Sequence, residues 1–346
     1  MSERLRALTF GMPVVGLLAV AMTACSFGSL GSDPTRPDAY RVVVPLGLDL
    51  VAPVPEDNAL SEAKIALGRK LFFDDELSAD RTMSCSSCHQ PEHYFTDGRT
   101  RPLGVDGRER PRNVPTILNA AYGRAFFWDG RASSLEEQVL MPFGRELGIP
   151  ADELVVRLGD RHDYREAFRK AFGDEVISPR LVSHALATYV RSLRSGDAPF
   201  DRFLNGDPGA ISTDAKRGFR LFVGRANCGV CHLPPLFTDH QFHNTGVSWG
   251  SDDVGRFSVT GQKVDSGKFK TPSLRNVAMT APYMHDGSIA TLEEVLEHYV
   301  GGGVSNPNLD EEIKPLELTT DERRQLIAFL ESLTSSPPIA APSDGR

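Results

Sequence analysis

The sequence predicts a mainly α-helical chain built from two copies of one unit. Three observations carry this: helix-opening capping boxes at matching places, few stretches with the period-two alternation of strands, and motifs repeated at one fixed interval. The chain has 346 residues, 40% apolar and 24% charged, with a mean hydropathy of −0.25. That balance can bury a core, and it excludes both a polytopic membrane protein and a disordered one. Lysines and arginines number 38 against 46 acidic residues, a net charge of −8, which excludes a nucleic-acid binder of the electrostatic kind.

Residues 1–25 read as an export signal. Arg4 and Arg6 precede an apolar stretch, Phe10 to Ala24, that is too short and too interrupted by Gly11, Pro13 and Gly16 to span a membrane comfortably. It ends Met22-Thr23-Ala24-Cys25, which resembles a bacterial lipobox, where the cysteine thiol takes a diacylglycerol. A plain cleaved signal with an incidental Cys25 is the alternative. Residues 26–54 form a tether that starts rich in Ser, Gly and Pro. The expected location is therefore periplasmic, with membrane contact only through a lipid on Cys25. Loss of Glu3, Arg4 and Arg6 with the signal leaves the balance acidic.

The chain has five cysteines, and the other four form two identical patterns, Cys85-Ser86-Ser87-Cys88-His89 and Cys228-Gly229-Val230-Cys231-His232. Cys-x-x-Cys-His is the attachment signature of c-type haem. On one helical turn two thiols reach the vinyl groups of one porphyrin, and the adjacent imidazole becomes the proximal iron ligand. Two disulfides would leave the repeated histidine unexplained and would strain a loop so short. A single four-thiolate zinc site is a further alternative, and a thioredoxin-like redox pair lacks its βαβ context. Two covalent c-type haems account for every residue of both motifs.

Other blocks repeat with them. Phe95-Thr96-Asp97 matches Phe237-Thr238-Asp239. The interval from Pro115-Thr116-Ile117-Leu118-Asn119 to Pro272-Ser273-Leu274-Arg275-Asn276 recurs from Asp129-Gly130 to Asp286-Gly287, and from Leu135-Glu136-Glu137 to Leu292-Glu293-Glu294. We therefore expect two tandem cytochrome c-like haem domains related by internal duplication, at 55–205 and 206–335, with a tail at 336–346. Ser134-x-x-Glu137 and Thr291-x-x-Glu294 open helices at equivalent places. Ser178-Pro179 starts a helix to about Arg194. Thr320 is expected to cap a last helix, with Leu326, Phe329, Leu330 and Leu333 on its buried face. The stretch Leu204 to Ala210 reads as a linker.

The copies differ at one informative place. Tyr299 lies on the helical stripe of Leu292, Val295 and Leu296, where a phenol can reach the second iron as sixth ligand; its equivalent in the first half is Pro142, which has no side-chain donor. The first haem is then open to a small oxidant while the second handles electrons. From spacing alone Met279, Met284, His285 and His298 rival Tyr299, His93 and Met141 could close the first haem, and Tyr299 could be a plain core residue. His162, His184, His240 and His243 show no pairing at metal spacing.

At this point residues 55 to 335 resemble the bacterial di-haem cytochrome c peroxidases and their MauG-like relatives. The resemblance rests on both haem motifs, Pro111-Arg112-Asn113, Phe127-Trp128-Asp129-Gly130-Arg131 and Ala281-Pro282-Tyr283-Met284-His285-Asp286-Gly287. It implies that the amino-terminal haem meets peroxide, that the carboxy-terminal haem receives electrons, and that Trp128 lies between them. It also implies a calcium ion held by oxygens of Asn113, Thr280 and Pro282, and a carboxylate, Glu146, that assists O–O cleavage with Pro142 at the open site. Glu146 stands closer after Pro142 than the family pattern places it. The histidine that blocks the first haem in typical peroxidases is absent from Leu103-Gly104-Val105-Asp106-Gly107, so the first haem is expected five-coordinate or water-bound. Tyr at 299, where peroxidases carry Met, matches the MauG-like branch.

Three functions are separable. The first is a peroxidase reducing hydrogen peroxide to water with electrons from a small cytochrome c or cupredoxin. The second is a MauG-like enzyme, in which peroxide generates a high-valent state that oxidises residues of a partner protein. Ala226 stands where the tryptophan-modifying enzyme has its surface relay tryptophan, which speaks against that specific activity. The third is a di-haem electron carrier, disfavoured by Pro142. The family often forms dimers, so a homodimer is expected.

Overall fold

A computed structural model describes residues 40, 42–173, 176–247 and 249–336. The export signal, Cys25, most of the tether and most of the tail lie outside the described residues. Among those described, helix predominates: α1 (Glu62–Phe72), α2 (Leu135–Gln138), α3 (Met141–Arg145), α4 (Ala151–Gly159), α5 (His162–Phe172), α6 (Pro179–Ser192), α7 (Pro199–Leu204), α8 (Thr213–Val223), α9 (Phe257–Thr260), α10 (Leu292–Val300) and α11 (Thr320–Glu331). The named strands are β1 (Phe242–His243) and β2 (Phe269–Lys270), an antiparallel pair. No described helix is long and apolar enough to cross a membrane.

The helices start where side chains satisfy their free N–H groups. Ser61 Oγ accepts from Lys64 N, Ser178 Oγ from Leu181 N and Ser212 Oγ from Ala215 N. Thr291 and Glu294 close a reciprocal capping box. At the matching place Ser134 caps Glu137 N, but the Glu137 carboxylate reaches back to Ser133 N instead. The last helix is capped by Thr319, boxed with Glu322, so the expected cap at Thr320 is corrected by one residue. Thr319 has Glu three positions on, which Thr320 lacks.

Two apolar clusters form. The first joins α1 to α4–α6 through Ile65, Leu71, Phe72, Leu154, Phe168, Leu186 and Tyr189. The second joins α7, α8, α10 and α11 through Phe200, Phe222, Leu296, Leu326 and Phe329, with Phe237. Phe200 packs in the second cluster, ahead of the expected boundary after residue 205. Each cluster contains one close helix crossing. A Cβ at Gly68 of α1 would overlap the Ala185 carbonyl of α6, and a Cβ at Gly218 of α8 would overlap the Gln325 carbonyl of α11. Glycine is required at both, because the backbones themselves touch.

Candidate active site

Each Cys-x-x-Cys-His motif forms one short 3-10 turn, Cys85–Ser87 and Cys228–Val230. His89 N then donates to Cys85 O, and His232 N to Cys228 O, both at 3.0 Å. His89 Nδ1 lies 2.9 Å from Phe95 O and His232 Nδ1 lies 2.9 Å from Phe237 O. A carbonyl only accepts, so Nδ1 carries the hydrogen and Nε2 keeps a free lone pair in both rings. Burial lowers both imidazole pKa values, which favours the neutral, ligating form.

The four thiols are free of disulfides. Burial pushes Cys85 up to about 12, Cys88 to about 11 and Cys228 to about 11, so they are neutral. The only potential metal-ligating cluster among the described residues is Cys231, Asp239 and His243, so no zinc site joins the two motifs. Two unbridged thiols beside an imidazole with a free Nε2 are the donor set of c-type haem attachment.

A cavity of about 580 Å³ opens beside the first motif, and Cys85, Cys88, His89, Trp128, Pro142 and Glu146 all line it. Here the structure brings together residues that lie far apart in the chain. Burial raises the Glu146 pKa, against the pull of Arg145, Arg110 and Arg131. The same carboxylate raises the pKa of Cys88, as do burial and Asp97, so it lies within electrostatic reach of the attachment site. The Glu146 carbonyl accepts from Val105 N at 2.8 Å, which fixes the Leu103–Gly107 segment to the backbone that carries the carboxylate.

Trp128 joins the two halves. Its Nε1–H donates to Asn113 O at 2.9 Å, and its own carbonyl accepts from Lys270 N at 2.8 Å. Arg112 fastens the same region, with Asp129 at 2.6 Å and both Asp253 oxygens at 2.7 Å. Thr280 and Pro282 line the cavity with Asn113. Among the described residues, no donor reaches Asn113 Oδ1 or the carbonyl oxygens of Thr280 and Pro282.

Tyr299 follows the buried Leu292 and Leu296 along α10. Its phenol pKa is pushed up to about 12 by burial, then by Cys228 and Cys231, while Thr245 opposes the rise. It is therefore close to the second motif. The rivals are engaged or turned elsewhere. His298 Nε2 lies 2.9 Å from Thr245 O, and His285 stacks on Phe269 at 3.5 Å. Met279 is exposed, and Met284 lines the first cavity. Met141 is exposed, and neither it nor His93 is among the residues lining that cavity.

Sequence reasoning missed three features. His243 is not free of metal-spaced partners: its Nδ1 lies 2.6 Å from Asp310 and its Nε2 2.9 Å from Asp239. The neighbouring Cys231 sulfur first, and then the two carboxylates, raise its pKa to about 10 against burial. Asp310 is distant in sequence, so no local pattern announces this cluster. Lys270 also lines the cavity, with its pKa lowered to about 8 by burial against the pull of Asp239. The crossing glycines did leave a signal, since Gly68 and Gly218 both begin Gly-x-x-Leu-Phe.

Comparison with known proteins agrees with this geometry. The family model for di-haem cytochrome c peroxidase matches residues 62–209. Methylamine utilization protein MauG of Methylorubrum extorquens is 44% identical over 324 residues, covering 92% of each chain. Cytochrome-c peroxidase IdrP1 of a Pseudomonas species is 37% identical, covering 94% of this chain and 92% of that one. The crystal structure of a MauG-like protein associated with microbial copper homeostasis superposes with a TM-score of 0.79 at 36% identity, covering 86% of this chain and 96% of that one. The chain thus belongs to the family of di-haem cytochrome c peroxidases and MauG proteins, and it is an oxidoreductase of the haem-peroxidase class.

Proposed function

We propose that the protein reduces hydrogen peroxide to two waters, taking two electrons from a small cytochrome c or cupredoxin and two protons from solvent. The observation that carries this reading is the cavity in which Glu146 and Pro142 share walls with His89, set against Tyr299 beside the second motif. His89 and His232 would hold the two irons through Nε2, and the paired thiols would anchor the porphyrins. Bound there, the haems supply the redox chemistry that splits the O–O bond.

The chain's own residues do the rest. Pro142 offers no donor atom, so the first site stays open to peroxide. Glu146 takes a proton from one peroxide oxygen and delivers it to the other, so that the leaving group departs as water. Arg110, Arg131 and Arg145 favour its ionised, proton-accepting form. Tyr299 would hold the second iron together with His232, and its phenolate would favour the ferric state. Trp128, bonded to main chain of both halves, shortens the path between the sites. Asn113, Thr280 and Pro282 present neutral oxygens that suit Ca²⁺, a hard cation served by carbonyl and amide ligands.

Two tandem cytochrome c-like domains accommodate this division of labour. Asn119 and Asn276 share a φ of 61°, and the bridges Phe126–Ala132 and Tyr283–Ile289 recur at the same interval. The signal-like first 25 residues support a periplasmic enzyme anchored through Cys25, and the family supports a homodimer. Paramagnetic resonance of the resting ferric protein tests the reading. One high-spin and one low-spin signal are expected, and Tyr299→Phe should abolish the low-spin one. Two low-spin signals in the wild type, or a low-spin signal unchanged in the variant, would overturn it.

Tyr299 and the 44% identity to a MauG protein favour a second reading, in which peroxide drives oxidation of a partner protein. Ala226, buried before Cys228, supplies no relay ring there. Sustained peroxide consumption with a reduced c-type donor and no prior half-reduction selects the peroxidase.

A further inference from the structure

The first cavity is lined by five arginines and lysines; three are already engaged, and Arg145 is exposed to solvent. Arg112 is held by Asp129 and Asp253, and Arg131 by Asp129. Arg110 is held by Asp106 and the Arg145 carbonyl. Lys270 has no ion pair among the described residues, although it lines the same cavity. The carboxylate whose field it feels, Asp239, is hydrogen-bonded to His243 at 2.9 Å. Burial of an ammonium without a bonded counter-charge is costly, so such a group is retained where an anion will meet it. Its backbone is fixed on both sides: β2 pairs Lys270 with Phe242, and Lys270 N donates to Trp128 O. Lys270 and Trp128, whose main chains are bonded, thus line the same cavity.

We propose that Lys270, supplied by the second half of the chain, binds a propionate carboxylate of the first haem and so ties that haem to the interface. This rests on the reading that the cavity holds a c-type haem. A cation paired with a propionate also stabilises the reduced, more negative iron, so Lys270 sets the potential of the peroxide-binding haem.

The test is spectroelectrochemical titration of both haems in the holoenzyme, comparing wild type with Lys270→Met, Lys270→Gln and Lys270→Arg. Methionine keeps most of the volume and removes the charge. Glutamine gives a second neutral variant should methionine fail to fold, and arginine keeps the charge. The neutral variants should shift the first haem toward its oxidised form about tenfold, a fall of roughly 59 mV for one electron. Lys270→Arg should restore the wild-type value to within about threefold, and the second haem should move less than the first. Unchanged potentials in the neutral variants, a shift confined to the second haem, or an equal shift in Lys270→Arg would each overturn the proposal. Haem content, measured by pyridine haemochrome, separates this from failure of the underlying reading: fewer than two c-type haems in the wild type would remove the cofactor rather than the lysine contact.

Discussion

Glu146→Gln is the most direct perturbation of the proposed chemistry. The amide keeps the shape of the side chain and removes its proton affinity. Glu146 is half-buried, with three arginine fields acting on it and the Cys88 sulfur within electrostatic reach. General acid–base catalysis contributes about 10²- to 10⁴-fold, or roughly 3 to 5 kcal/mol at about 1.4 kcal/mol per decade. We expect a loss of about 10³-fold in kcat for peroxide reduction, with haem content unchanged. The pH profile gives the sign. Burial raises the Glu146 pKa, and the ionised form is the one that accepts a proton. Wild-type activity should therefore fall as pH drops through a pKa above the ordinary carboxylate value, while the variant stays low and flat over that window. Stopped-flow turnover with a reduced c-type donor measures both. Activity of the glutamine variant within threefold of wild type, or an acid limb that persists in it, would refute the role of Glu146.

Two further substitutions test the scaffold. Gly218→Ala drives a methyl into the Gln325 carbonyl; overpacking at the top of its range, about 3 kcal/mol, outweighs a helix-propensity gain of about 1 kcal/mol. Calorimetry should show Tm lower by roughly 4–8 °C, whereas Gly159→Ala, with open space around it, should not lower Tm. Asp201→Asn breaks the buried bidentate pair with Arg275, at 2.9 and 3.0 Å. Urea unfolding should show a loss of about 3–5 kcal/mol, typical of a buried charge left without its partner.

What the sequence revealed and what it hid divide along one physical line. Haem attachment is a local problem: two thiols and an imidazole must share one turn, so the motif is contiguous and readable. Capping is local too, and the structure corrects it in two details: Thr319 rather than Thr320 caps the last helix, which Glu322 decides, and Glu137 bonds Ser133 N rather than closing a box on Ser134. The contrast of Pro142 with Tyr299 could be drawn because the motifs recur at one interval in the sequence. Contacts made by folding left no such trace. Asp310 meets Asp239 and His243 from a distant segment, and Arg112 reaches Asp253 across 141 positions of the chain. Lys270 is one of 38 basic residues, and only the fold sets it in a cavity with no ion pair among the described residues. Gly68 and Gly218 stand between these cases, since a shared Gly-x-x-Leu-Phe marks them but only the touching backbones explain them.

The segment around Val105 has a consequence for the order of events. Val105 N is bonded to Glu146 O, Gly104 N to Arg108 O, and Arg110 ties the segment both to Asp106 and to the Arg145 carbonyl. A segment pinned to the wall it would have to leave makes a poor shutter, and it carries no histidine with which to close the site. On the proposed reading, oxidant and donor can therefore arrive in either sequence. Such an enzyme stands ready when peroxide rises while its electron supply has failed, and it can hold the oxidising equivalents until a donor docks. Its timing would follow the oxidant rather than the respiratory state of the cell.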